Sequence, residues 1–170
     1  MSRELLILRH AKSDWGTGAA SDFARPLSER GRKDAPRLGK WMRKHHLKPE
    51  HVVSSPAVRA TETATAVSRA LEFRVKDITF DERIYLAGLT TLLEVIASCP
   101  TEASRVMLVG HNPGLDELVE YLVQGELPLS DAGKLMTTCA LARIELSDNW
   151  ATLPRGSGKL LSLTRPRELP

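Results

Sequence analysis

Leu5-Leu6-Ile7-Leu8-Arg9-His10-Ala11-Lys12-Ser13 decides how the rest of the chain is read. Four consecutive apolar residues predict a strand covered on both faces, as in a parallel sheet between helices. The run then stops at a cation and an imidazole. Open α/β sheets gather their ligands at the carboxyl ends of the strands, and Arg9-His10 stands at such an end. By itself the pattern fits a buried, hydrogen-bonded histidine as well as a nucleophile. The two readings separate only if other strand ends bring matching chemistry.

Working outward, strand and helix patterns alternate. Residues 12–25, rich in Gly, Ala, Ser and Asp, predict a long loop, and loops of this length tend to be functional. Ser28 is placed to cap a helix whose apolar residues Ala35, Leu38, Trp41 and Met42 share one face. Pro36 predicts that this helix starts near Asp34 or that its first turns are kinked. Residues 51–54 read as a second strand, which Ser55-Pro56 turns into a helix carrying Ala60, Ala64, Val67 and Leu71. Residues 75–80 predict a further strand ending at Asp81-Glu82-Arg83, and Leu92, Leu93 and Ile96 mark a helix that stops at Cys99-Pro100.

Val106-Met107-Leu108-Val109 repeats the opening theme. This buried strand runs into Gly110-His111-Asn112-Pro113-Gly114, and an amphipathic helix follows over residues 115–123. Residues 140–146 and 160–163 read as late strands, the second at an edge. The alternation predicts an α/β fold, a three-layer α/β/α sandwich with a mainly parallel central sheet. With no internal repeat or low-complexity linker, the 170 residues predict a single domain.

Composition narrows the function classes. A hydrophobic content of 42% with 26% charged residues is that of an ordinary globular chain. No apolar run approaches the ~20 residues of a membrane span, and the amino terminus lacks a signal-peptide pattern. Cys99 and Cys139 belong to no C-x-x-C pair and predict buried free thiols, hence a cytoplasmic protein without membrane association. The net charge of +3 is mildly basic. Three Phe and two Tyr offer little for base stacking, so the charge predicts a small-anion pocket or an acidic partner rather than nucleic acid.

The chemistry lies in what the strand ends collect: Arg9 and His10, Arg59 one turn into its helix, and Gly110-His111. Two guanidiniums and two imidazoles suit a doubly charged tetrahedral anion, because arginine offers paired donors and keeps its charge. The neighbouring cations favour neutral His10, which leaves a ring lone pair free to attack.

These residues resemble the histidine phosphatase superfamily, which includes phosphoglycerate mutases and acid phosphatases. Arg9-His10-Ala11 is similar to its Arg-His-Gly signature, and the run from Arg9 to Gly16 resembles R-H-G-E-S-x-W-N of the mutases. Ser54-Ser55-Pro56-Ala57-Val58-Arg59-Ala60-Thr61-Glu62-Thr63-Ala64 is similar to the S-x-x-x-R-A-x-x-T-A block, and Gly110-His111 to the second Gly-His motif. Within the superfamily the chain most resembles SixA-type phosphohistidine phosphatases. These are short and share a segment like Ser21-Asp22-Phe23-Ala24-Arg25-Pro26-Leu27-Ser28 and an Asn-Pro like Asn112-Pro113.

The resemblance implies a phosphoglycerate mutase-like fold without a large lid. It also implies that His10 becomes phosphorylated while Arg9, Arg59 and His111 hold the phosphoryl oxygens. Glu82 is its candidate acid for the leaving group. Arg25 and Asp22 border the implied pocket, in direct contact with substrate or paired with each other to order the loop. Ser13 and Asn112 complete the substrate-binding set, Asn112 through its backbone or by shaping the turn with Pro113. No cofactor and no metal are implied. Ala11 in place of Gly, and Gly16 where mutases carry an Asn that contacts phosphate, depart from the pattern.

Other candidates fall away. His45, His46 and His51 lack metal-ligand spacing and predict surface residues. Gly156-Ser157-Gly158-Lys159 lacks both the first glycine and the Ser or Thr of a phosphate loop, and predicts a turn between late strands. Three functions stay in view. The first is a phosphatase acting on protein phosphohistidine or on a small phosphoester. The second is a mutase-like phosphotransferase, which needs a closed site to shield its intermediate from water. The third is a non-catalytic phosphoprotein-binding module, which would need no nucleophile.

Overall fold

The computed structural model describes residues 2–147 and 149–170. Its centre is a six-stranded mixed sheet in the order β3-β2-β4-β1-β5-β6. Strand β1 (Arg3–Arg9) pairs in parallel with β4 (Arg105–Gly110), which pairs in parallel with β2 (His51–Ser54), and β2 with the short β3 (Thr79–Phe80). On the other side β5 (Leu141–Leu146) runs antiparallel to β1, and β6 (Lys159–Thr164) runs antiparallel to β5 and forms the edge.

Strands buried on both faces need helices on both, and the helices divide in pairs. Leu6, Leu8, Met107 and Val109 face α1 (Glu29–Lys44) and α2 (Val58–Ala70). Leu5, Ile7, Val106 and Leu108 face α3 (Leu89–Ala97) and α4 (Gly114–Leu122). Adjacent strands β1 and β4 thus feed helices on opposite faces, and their carboxyl ends open into the crevice where such sheets bind ligands. At the opposite end of the sheet the Glu4 carboxylate meets Arg105 and Arg143, each at 3.2 Å, and ties β1, β4 and β5 together.

One expectation is decided and one corrected. Of the two readings of Pro36, the start near Asp34 is excluded: helix α1 starts at Glu29, directly after the Ser28 cap, and continues through Pro36. Ser28 caps it by accepting from Gly31 N at 3.2 Å, and the Ser28 amide and hydroxyl both donate to the Lys12 carbonyl. Those anchored first turns carry the helix past the missing proline donor. The strand expected over residues 75–80 shrinks to Thr79–Phe80, preceded by a 3-10 turn at Val75–Asp77. Lys76 and Asp77 there are exposed, and an edge strand has only one partner to reward extension. Cys99 and Cys139 are free and buried. Among the described residues no helix is long and apolar enough to cross a membrane.

Candidate active site

The parallel ladder delivers the two histidines side by side. Arg9 is level with Gly110, and His10 N extends the ladder by donating to the Gly110 carbonyl at 3.1 Å. From the β5 side, Cys139 N donates to the carbonyls of both Arg9 (3.1 Å) and His10 (3.0 Å). The ring centroids of His10 and His111 lie 5.2 Å apart.

His10 is held in one tautomer. Its Nδ1 lies 2.7 Å from the Ala11 carbonyl oxygen. A carbonyl only accepts, so Nδ1 carries the hydrogen and the lone pair is left on Nε2. Burial first, then the charges of His111, Arg9 and Arg59, push the His10 pKa down to about 3, against a hydrogen bond to Ala11 that raises it. His111 is lowered to about 4, chiefly by burial and then by Arg59. Its Nε2 meets Ser55 Oγ at 2.8 Å. Ser55 Oγ accepts from Ala57 N and keeps its own hydrogen to donate to Nε2, an arrangement that puts the ring hydrogen on Nδ1.

Two guanidiniums, buried Arg59 and half-buried Arg9, complete the site. Arg9 donates from Nη1 to the Met136 carbonyl at 2.9 Å. Arg59 gives Nη1 to the Asp22 carbonyl (2.8 Å) and Nη2 to its carboxylate (3.1 Å). Arg9 Nε, Arg59 Nε and His111 Nδ1 are buried without a hydrogen-bond partner among the described residues. Buried unpaired donors are costly. All three residues line one cavity with His10, and together they suit an anion with several oxygens.

The remaining expected residues take distinct places. Arg25 lines the pocket, donating from Nη1 to buried Ser13 Oγ (2.7 Å) and from Nε to Asp22 Oδ1 (3.1 Å). Asp22 is exposed and is not one of the residues that line the cavity. It holds Arg25, Arg59 and the Tyr85 hydroxyl (2.6 Å), and those hydrogen bonds, Tyr85 foremost, keep its carboxyl near about 2. Asn112 lines the pocket, but its side chain serves structure, accepting from Asp116 N and donating to the Met136 carbonyl. Glu82 is exposed on the 3-10 turn Glu82–Ile84 and forms no part of the pocket wall.

The two departures are absorbed. Ala11 is buried among the residues packed under α1 and α2, and its amide donates to Thr63 Oγ1 at 2.9 Å. Gly16 bonds only to Asp14 and lies off the pocket wall.

Sequence reasoning missed several contributors. Ser55 and Thr63 lie inside the quoted Ser54–Ala64 block, and Thr63 Oγ1 also donates to the Arg59 carbonyl at 2.7 Å. Tyr85 follows Glu82 by three residues. Thr138 and the Met136 carbonyl come from an irregular stretch whose sequence carries no signal. The cavity is small, about 230 Å³, with Lys12, Trp15, Leu86 and Thr138 completing its wall. Among the described residues no inserted lid covers it. Between Glu82 and Arg105 the chain forms one 3-10 turn and the nine residues of α3.

Comparison with known proteins agrees with this geometry. Residues 5–85 match the family model described as histidine phosphatase superfamily (branch 1). Phosphohistidine phosphatase SixA of Escherichia coli is 26% identical over 89% of this chain and 94% of its own length. A solved structure from Nakamurella multipartitia, named for SixA, superposes with a TM-score of 0.82 at 25% identity, covering 98% of this chain and 97% of that one. Another from Agrobacterium tumefaciens, also named for SixA, gives 0.77 at 28% identity over 96% and 99%. The matched segment carries Arg9, His10 and Arg59, and the structural matches extend past His111 to nearly the whole length. Residues 5–85 thus carry the likeness to the histidine phosphatase superfamily, and over nearly its whole length the chain is built like the SixA proteins.

Proposed function

We propose that this protein is a phosphatase that works through a phosphorylated His10, and that its substrate is phosphohistidine carried on a protein. The observation that carries the reading is the fixed tautomer of His10. Its Nε2 lone pair faces a site whose Arg9, Arg59 and His111 hold unpaired donors.

His10 Nε2 attacks phosphorus, forming a P–N bond, while the guanidiniums and His111 Nδ1–H neutralise the equatorial oxygens. The bond to the substrate breaks, and its electron pair stays on the departing imidazole nitrogen, which takes a proton from water. A second water then attacks phospho-His10, releasing orthophosphate and restoring the neutral ring. Side chains supply the positive charge, so the reaction requires no metal.

Two features favour phosphohistidine over a phosphoester. An imidazole leaves readily once protonated, and Glu82 is not positioned in the wall to protonate a poorer leaving group. A shallow pocket without a lid also admits a side chain presented by another protein. The relative named as a phosphohistidine phosphatase supports the same choice.

The test is incubation with a phosphohistidine peptide and with para-nitrophenyl phosphate, using native protein and His10→Ala. The native protein should release phosphate and form an acid-labile phosphoenzyme located at His10 by mass spectrometry. His10→Ala should lose turnover by roughly a thousandfold or more. Phosphate release retained by His10→Ala would sink the covalent mechanism, and tight binding without turnover by native protein would favour a binding module.

A further inference from the structure

In-line transfer places the leaving group opposite the attacking nitrogen across phosphorus. His10 lies at the floor of the pocket, so whatever leaves must lie toward the mouth. Two apolar side chains stand there. Trp15, from the loop after β1, and Leu86, from the turn before α3, both line the pocket, and both are 75% exposed. Single exposed apolar residues are common on protein surfaces. Two on separate loops at the mouth of one small, highly charged pocket are not scattered.

Each is also held in place. The Arg25 guanidinium lies 3.5 Å from the centre of the Trp15 ring, and Arg25 is itself fixed by Asp22 and Ser13. The indole is thus stacked on a cation anchored in the site. Leu86 adopts a left-handed backbone, φ +60°, which is uncommon for residues other than glycine. Both of its neighbours are anchored. Tyr85 is tied through its hydroxyl to Asp22, and the Ala87 carbonyl is packed so closely on Gly114 that a Cβ at Gly114 would lie 2.3 Å from it. Strained, exposed residues persist where the surroundings over-determine them, and they concentrate at ligand sites.

We infer that Trp15 and Leu86 form a leaving-group clamp that grips a flat ring, the imidazole of phosphohistidine, and so select ring-bearing over ringless phosphoryl donors at the His10 site. A planar heteroaromatic offers a face to the indole and to the leucine side chain. An amine or a small alcohol offers neither. The inference rests on the phosphatase reading above, and it adds the part of the substrate that the anion pocket does not recognise.

Three donors separate the contributions: phosphoimidazole, phenyl phosphate and phosphoramidate, the last having a P–N bond and no ring. The quantity to measure is the ratio of kcat/KM for each ring-bearing donor to kcat/KM for phosphoramidate. It is taken in native protein, Trp15→Ala, Trp15→Phe and Leu86→Asn, asparagine being tolerant of the left-handed backbone. We expect the ratio to fall at least fivefold in Trp15→Ala and in Leu86→Asn, mainly through KM, and to recover in Trp15→Phe. A ratio that stays constant while both rates fall would assign these residues a purely structural role and overturn the clamp. Failure of native protein to hydrolyse any of the three donors would overturn the phosphatase reading itself.

Discussion

At the scale of single residues, the site divides its labour between groups that face the anion and groups that aim them. Asp22 belongs to the second kind. Its backbone carbonyl and carboxylate position Arg59, its carboxylate positions Arg25, and Tyr85 completes its hydrogen bonds. The sequence names Asp22 and Arg25 as a pair but says nothing of Tyr85 or Ser55, because their roles arise only when β2, α2 and the turn before α3 meet. Glu82 carries a clear expectation of its own. It is exposed and outside the pocket wall, so Glu82→Gln should slow para-nitrophenyl phosphate cleavage by a few-fold at most and leave phosphohistidine cleavage nearly untouched. Steady-state rates on both substrates check this. A loss of roughly a hundredfold or more on the phosphoester would restore Glu82 as general acid.

At the scale of elements, helices aim the loops. Thr63 on α2 receives the Ala11 amide and donates to the Arg59 carbonyl, so one hydroxyl ties the nucleophile loop to the arginine helix. The N-terminal turn of α1 does the same for Lys12. A Cβ at Gly31 would lie 2.2 Å from the Lys12 carbonyl oxygen, a backbone atom that no rotamer change relieves. Gly31→Ala should therefore destabilise by about 1–3 kcal/mol in urea unfolding and also raise KM, because Lys12 lines the pocket. Gly39→Ala meets Ala70 Cβ at 2.6 Å on the interface between α1 and α2, so it should lower stability similarly with KM unchanged. The sequence foresaw most of these elements because buried strands and amphipathic helices carry strong periodicities. At α1 it foresaw the Ser28 cap and left two readings of Pro36 open, and the cap with the packing of Gly31 on Lys12 decides for the earlier start. It overextended β3 because apolar content alone does not reveal that a strand has only one neighbour.

At the scale of the whole molecule, the active site opposes folding in acid. The histidines His10 and His111 have folded pKa values of about 3 and about 4, below the ordinary 6.5. An unfolded chain therefore binds protons at these positions that the native chain refuses. Stability is complete above pH 6.5 and declines as pH falls toward 4 and then 3, by on the order of a few kcal/mol. Asp22, held at about 2 against 3.8, adds to the loss over a lower window that overlaps the acid end of the His10 one. Urea unfolding at pH 7, 5 and 4 should show the decline, and the double variant His10→Asn, His111→Asn should flatten it between pH 6.5 and 4. An unchanged slope in that variant would place the acid sensitivity elsewhere.

The Glu4 cluster at the far end of the sheet acquires a meaning from the same ladder. Strands β1 and β4 are apolar on both faces, so a slip by one residue would bury nearly the same surface, and hydrophobic patterning does not guard against it. Such a slip would carry His111 about 3.3 Å along the sheet and turn its side chain to the opposite face. Glu4, Arg105 and Arg143 pair in only one alignment. They act as the zero mark of a ruler, and the separation of the two imidazoles is read off at its other end.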